Sequence, residues 1–118
     1  MELAPFTLQG TDLCVAPLVL GTMTFGAQLD EGESERVVAR ARDLGLTMLD
    51  GSNSYAGGRS EEIIGRVIRP FRDEVQVVTK VGAALKGRDP GAPRLDRASI
   101  LRECDASLGR LGIAHIDL

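Results

Sequence analysis

Asp50, Tyr55 and Lys80 are the side chains whose types and spacing suit chemistry. Tyr55 is the only tyrosine, and Lys80 is one of two lysines among fourteen basic residues. Asp50 closes the apolar run that ends in Met48-Leu49. Tyr55 lies in the glycine-rich stretch GSNSYAGGR just after it, and Lys80 closes the next apolar run, VQVVTK. A carbonyl reduced by hydride needs a proton on its oxygen as negative charge develops there. An ordinary phenol, with a pKa of ~10, gives up its proton reluctantly at neutral pH, and a nearby ammonium eases the transfer. A carboxylate beside that ammonium keeps it charged and fixes its long side chain. In this scheme Tyr55 is the general acid, Lys80 tunes it and Asp50 anchors the lysine. Each residue type also has a plainer use. An Asp after a strand can cap a turn, a strand-end Lys can reach solvent, and a loop Tyr can act as a packing lid.

The elements that must position these groups are legible as alternating strands and helices. Residues 2–16 alternate loosely about Gln9-Gly10-Thr11-Asp12, a hairpin signal that Pro17 ends. Leu18 to Met23 reads as a strand buried on both faces, followed by a loop from Phe25 to Leu29. Asp30 with Glu33 predicts a capping box for a helix burying Val37, Val38, Ala41 and Leu44, with Gly45 just past its end. Leu46 to Asp50 is the next strand. Ser60 is a candidate N-cap for a helix burying Ile63, Ile64, Val67 and Ile68, which Pro70 stops. Glu74 to Lys80 is the third strand. Gly82 to Arg94 is a long loop, and Asp96 caps a third helix whose expected core face is Leu101, Cys104, Leu108 and Leu111. Gly112 ends it, and Ile113 to Leu118 begins a fourth strand.

This order implies a parallel sheet with right-handed crossovers. A doubly wound sheet and a (β/α)8 barrel both fit. The dinucleotide fingerprint GxGxxG is missing after the first strand, where Gly21 to Gly26 reads GTMTFG. This argues against the doubly wound alternative. In either architecture functional groups gather at the carboxyl ends of the strands, where Asp50 and Lys80 both fall. If their strands are neighbours, all three side chains can converge.

Composition bounds the partners. The net charge of −3 and the scattered arginines give no reason to expect nucleic acid or an anionic membrane. No run is long enough to span a bilayer, and the first twenty residues lack the pattern of a signal peptide, so the expected location is cytoplasmic. Cys14 and Cys104 have no metal-type spacing; they read as small buried hydrophobes, and no metal is expected. Gly57-Gly58-Arg59-Ser60 before a helix could cradle an anion, or could simply be a loop turning into its helix.

LVLGTMTFG, MLDGSNSYAGGRSEEIIG, VQVVTKVG and SLGRLGIAHIDL, in this order and spacing, resemble the aldo-keto reductase family from about Asp12 onward. The resemblance implies the amino-terminal part of a (β/α)8 TIM barrel. It would hold an N-terminal β-hairpin over 1–16 and the first βα units over 17–118, with the barrel not closed. It implies hydride transfer from a nicotinamide cofactor, NADPH ahead of NADH, to a small aldehyde or ketone. The family's tetrad of Asp, Tyr, Lys and His maps its first three members onto Asp50, Tyr55 and Lys80. The nicotinamide end of the cofactor maps onto Gly21, Thr22, Met23, Gln28 and Asp50. Gly51 stands where the family commonly has threonine. The tetrad histidine belongs just beyond the Ile-Asp-Leu run, and His115 precedes that run, so His115 is expected to be a loop residue without a catalytic role. A full barrel of this type takes roughly 250 residues. The chain has 118 residues, and the expectation is a fragment that either self-associates or stays partly unfolded and does not turn over alone. The rival expectation is a non-catalytic, cofactor-sensing or protein-interaction module on the same barrel, as in potassium-channel beta subunits.

Overall fold

A computed structural model describes residues 4–118. Residues before 4, which the expected hairpin unit includes, lie outside the described residues. The hairpin is β1 (Phe6–Thr7) against β2 (Cys14–Val15), antiparallel, with Phe6 opposite Val15. Then come β3 (Leu20–Gly21), α1 (Glu31–Asp43), β4 (Met48–Asp50), α2 (Arg59–Ile68), β5 (Gln76–Val78) and α3 (Arg97–Leu111). Short 3-10 turns at Tyr55–Gly58 and Arg69–Glu74 flank α2.

Strands β3, β4 and β5 form one parallel sheet in that spatial order. Gly21 is in register with Asp50, and Asp50 with Val78. Consecutive strands are therefore neighbours, and the groups leaving their carboxyl ends face one another. The helices cover one side of this sheet. Val38 of α1, Ile63, Ile64, Val67 and Ile68 of α2, Leu49 of β4 and Val77 of β5 form a single buried cluster. Phe25, 1% exposed, anchors the preceding loop in the same cluster. Fully burying side chains of this size is worth roughly 1.5–3 kcal/mol each.

The helix ends follow local chemistry. Asp30 and Glu33 form the reciprocal capping box, each side chain accepting from the other's backbone N–H at 2.8 Å. Asp96 caps α3 by accepting from the Ser99 N–H, and Gly112 closes it in the left-handed conformation, φ +64°.

Several expectations change. The N-cap of α2 is Gly58, not Ser60, and its φ of +96° suits glycine. Ser60 sits inside the helix and donates its hydroxyl to the Thr22 carbonyl at 2.9 Å. The strands are shorter than the apolar runs that signal them, because the ladder is cut off where the chain turns into the site loops. Ile113 to Leu118 is not a regular strand. It lies beside β5, where Asp117 and Leu118 donate to the Val77 carbonyl and the Leu118 carbonyl accepts from Thr79. Cys14 is exposed and not buried, while Cys104 is half-buried. Helix α3 keeps only Leu111 of its expected core face. Ser99, Glu103, Ser107 and Leu111 point inward, and Leu101 is 51% exposed.

Candidate active site

Lys80 leaves the carboxyl end of β5 and reaches across the mouth of the sheet. Its Nζ donates to Asp50 Oδ1 at 2.6 Å, to the Gly51 carbonyl at 2.8 Å and to the Tyr55 hydroxyl at 3.3 Å. All three proton positions of the ammonium thus have acceptors, which fixes a long and otherwise flexible side chain. Burial by itself would lower the Lys80 pKa. The hydrogen bonds to Asp50 and Tyr55, and their charges, outweigh it and hold Lys80 above the ordinary lysine value of 10.5. The ammonium also lies 5.1 Å from the centre of the Tyr55 ring.

The loop carrying Tyr55 is held from both ends. Gly51 N–H donates to Val78 and Asn53 N–H to Lys80, so the chain leaving β4 stays paired with β5 after the regular ladder stops. Ser54 N–H donates back to Ser52 Oγ at 3.3 Å. Beyond Tyr55 the backbone enters the left-handed region at Ala56, φ +49°, the one non-glycine residue there among those described. That conformation costs an alanine on the order of 1 kcal/mol.

Residues that pattern reading passes over build the wall behind the triad. Glu61 of α2 is fully buried. It accepts from Thr79 Oγ1 at 2.6 Å and pairs with Arg110 of α3 at 2.6 Å. Thr79 directly precedes Lys80, so this buried carboxylate ties α2, α3 and the end of β5 together. Asn53 and Glu103, 3% and 5% exposed, are joined at 3.3 Å. The Ser-Glu step at 60–61 is in plain view in the sequence, but its partners lie 18 and 49 residues away.

The remaining candidates are spread around the mouth. Gly21 is exposed, with open space where a side chain would project, and Met23 is 64% exposed. Thr22 is buried, and its N–H and hydroxyl both donate to the Asp50 carbonyl, at 3.1 and 3.0 Å. Gln28 is exposed on the next turn. Open backbone at Gly21 and an exposed rim beside Asp50 suit a flat ring laid across the strand ends. Thr22 could contribute only support, since its polar groups are committed within the protein. His115 lies near the amino end of β5, away from the triad, against Arg72 and Asp117. Among the described residues there is no cluster of metal-ligating side chains, and no helix is long and apolar enough to cross a membrane.

Comparisons with known proteins bear on the family and the fold. Residues 17–118 match the family model described as the aldo/keto reductase family. A probable voltage-gated potassium channel subunit beta from Arabidopsis thaliana is 36% identical over 110 residues, covering 90% of this chain and 33% of the relative. An aldo-keto reductase from Bacillus subtilis, YhdN, is 32% identical over 117 residues, covering 95% of this chain and 35% of the relative. The structure superposes on a putative aldo-keto reductase from Pseudomonas aeruginosa with a TM-score of 0.84 at 35% identity, over 98% of this chain and 45% of that one. The chain thus spans about a third of the length of the curated relatives it matches. Its three-stranded parallel sheet is part of an unclosed (β/α)8 barrel. With the strand order and the family match in agreement, this chain belongs to the aldo/keto reductase family.

Proposed function

We propose that this sequence supplies the proton-donating part of a carbonyl reductase using a nicotinamide cofactor, with NADPH ahead of NADH. The observation that carries this reading is the Lys80 ammonium held between Asp50 and Tyr55, at 2.6 and 3.3 Å. Tyr55 is the general acid. As its proton moves to the substrate oxygen, negative charge develops on the phenol oxygen, and Lys80 stabilises it at short range. Asp50 holds Lys80 in position and keeps the local charge balanced. Gly21, Met23 and Gln28, with Thr22 beneath them and Asp50 beside them, would hold the nicotinamide end. A bound dihydronicotinamide supplies the hydride. The substrate is a small aldehyde or ketone, whose oxygen must come within hydrogen-bond reach of the Tyr55 hydroxyl.

The test is Tyr55→Phe in a complete barrel carrying these residues, native or grafted onto a solved relative. Carbonyl reduction should fall by about 10²- to 10⁴-fold, the usual worth of general acid catalysis, with cofactor affinity little changed. Near-normal turnover would remove Tyr55 from the role. The 118 residues by themselves supply three of the family's four tetrad side chains, and we expect them to show no turnover.

A second reading rests on the channel-subunit relatives, 36% and 35% identical. Under it the same mouth binds the cofactor as a signal and the barrel acts as a soluble, cytoplasmic interaction module. Steady-state turnover of a generic aldehyde with NADPH separates the two readings: slow single-turnover oxidation without cycling favours the module.

A further inference from the structure

Behind the loop that carries Tyr55, the stretch from Gly82 to Arg94 stands away from α3 and from the turn at Tyr55–Gly58. Two hollows of about 260 and 550 Å³ open there, sharing Asn53, Ala84, Leu85 and Arg88 as walls. Neither is lined by Asp50, Tyr55 or Lys80. Five cationic side chains line the pair against two carboxylates, on a chain whose net charge is −3. Three of the five are already paired, Arg88 and Arg102 with Glu103 and Arg110 with the buried Glu61, which leaves Lys86 and Arg94 without a carboxylate partner among the described residues. Glu103 is buried and already bound by Arg88 at 2.7 Å and by Asn53 Nδ2 at 3.3 Å, while Asp89 accepts from the Gly91 N–H at 2.9 Å. Arg110 reaches the second hollow beneath Gly58, where any added side chain would meet its Cδ at 2.8 Å. The floor is apolar, from Ala83, Ala84, Leu85, Pro90 and Pro93. Asn53, 3% exposed, lines both hollows, and its Oδ1 is buried with no hydrogen-bond partner among the described residues. Its Nδ2 is held by Glu103, which fixes the amide with the acceptor oxygen left over. Buried acceptors are rarely left without a donor, and each exception needs a physical reason.

We propose that this cleft is a binding site for a small organic anion with an apolar body and a hydrogen-bond donor. The anionic group sits against Lys86, the cation of the second hollow without a carboxylate partner, beside the paired Arg88 and Arg110. The apolar body lies on the alanine and proline floor, and the donor satisfies Asn53 Oδ1. The combined size takes a molecule of one ring, well short of a dinucleotide. The site lies beside the proposed reductase centre and does not depend on it.

Isothermal titration calorimetry on the intact protein tests this, with 4-hydroxybenzoate as probe. Benzoate serves as the probe without the donor, and phenol as the probe without the charge. One 4-hydroxybenzoate should bind per chain. Benzoate should bind a few-fold more weakly, and phenol about tenfold more weakly or worse, since bonds to charged groups are the stronger ones. Lys86→Gln should weaken the probe several-fold. Ala84→Trp, at an exposed position that tolerates bulk without loss of fold, should block it. Tyr55→Phe should leave binding unchanged, and this separates the cleft from the reductase centre. No heat with 4-hydroxybenzoate at millimolar concentration would overturn the proposal. So would equal binding by Ala84→Trp, or loss of binding in Tyr55→Phe, which would place the anion in front of the triad.

Discussion

Helix α2 buries Ile63, Ile64 and Ile68 completely, whereas α3, packed against it, turns Ser99, Glu103 and Ser107 inward and leaves Ile100 and Leu101 40% and 51% exposed. The two helices share an interface and follow different rules there. Helix α2 lies on the sheet and meets β4 and β5, whose valines and leucine are apolar, so burial follows hydrophobicity. Helix α3 inserts Leu111 into the same core and otherwise meets α2 and the site loops through polar partners. Arg110 pairs with Glu61, Glu103 with Asn53 and Arg88, and Ser99 donates to the Pro93 carbonyl. At Gly65 the approach is so close that an added Cβ would lie 1.9 Å from the Leu111 carbonyl oxygen. An interface built on backbone contact and ion pairs needs no apolar stripe. The region that holds the triad is therefore seated on an ordinary core, and the region that flanks it is seated on electrostatics.

The largest expected effect falls on the triad and leaves the packing on both sides alone. Lys80→Met should reduce carbonyl turnover by about 10²- to 10⁴-fold in a complete barrel. The Lys80 and Asp50 side chains are 47% and 36% exposed. Pairs so open to solvent contribute little to stability, so the thermal midpoint should move little. The pH dependence has a definite sign. A lysine raised above 10.5 adds stability that is fully present below that value and fades as pH rises through the folded value. The increment is small for so exposed a pair, and it is read as a slightly steeper loss of thermal midpoint above pH 10.5 in the unsubstituted protein than in Lys80→Met. Full turnover in the variant at any pH would reduce Lys80 to a surface lysine.

Next in size is the buried pair that joins the two helices. Arg110→Met leaves the Glu61 carboxylate fully buried with only Thr79 as partner. Stranding one member of a buried pair costs about 3–5 kcal/mol. The double variant Glu61→Gln with Arg110→Met should recover much of that loss. Denaturant midpoints read both. If the single and double variants unfold together, the pair is an ornament of the surface and α3 docks by some other means.

Gly65→Ala sets two forces against each other at the same contact. Helix propensity alone favours alanine by ~1 kcal/mol. The collision with the Leu111 backbone opposes it. Overpacking against a fixed neighbour costs roughly 1–3 kcal/mol. The structure predicts net destabilisation, accompanied by faster hydrogen exchange in α3 and not in α1. A stabilised variant would mean that the helices do not approach so closely.

The same division explains what the sequence discloses. Strand order, the capping box at Asp30, the buried face of α2 and the convergence of Asp50, Tyr55 and Lys80 all rest on local patterns or on rules of α/β topology. The inward face of α3 rests on partners far along the chain. Periodicity picks Leu101, Cys104, Leu108 and Leu111 and meets the core only at Leu111, because it ranks residues by hydrophobicity and cannot know that Glu61 waits for Arg110. Ser60 resembles a cap for the same reason. Its type fits an N-cap, but the loop spends three left-handed residues, Ala56 to Gly58, and starts the helix earlier. Gln28 and Met23 enter through family resemblance, and nothing in their local sequence marks them.

The smallest effect is the sharpest test of the inverted face of α3, and it needs only two leucines of that helix. Leu111 is 2% exposed and belongs to the main core cluster. Leu111→Ala should therefore cost about 2–5 kcal/mol. Leu101 lies on the expected core stripe of the same helix but is 51% exposed. Leu101→Gln should change stability by about 0.5 kcal/mol at most, as surface substitutions usually do. If hydrophobic periodicity ruled α3, the two changes would be of similar size. A second readout extends the contrast. Ile100 and Leu101 form a patch with nothing over it among the described residues, and Leu18, Val19 and Met23 are also exposed on the strand side. The 118-residue chain studied by itself should therefore self-associate, with a sedimentation profile heavier than a monomer. Leu101→Gln should lessen that association while leaving the melt unchanged. A Leu101→Gln variant that unfolds as readily as Leu111→Ala would mean that the leucine stripe is the true inner face, and that the Glu61–Arg110 and Asn53–Glu103 contacts do not hold the helix in place.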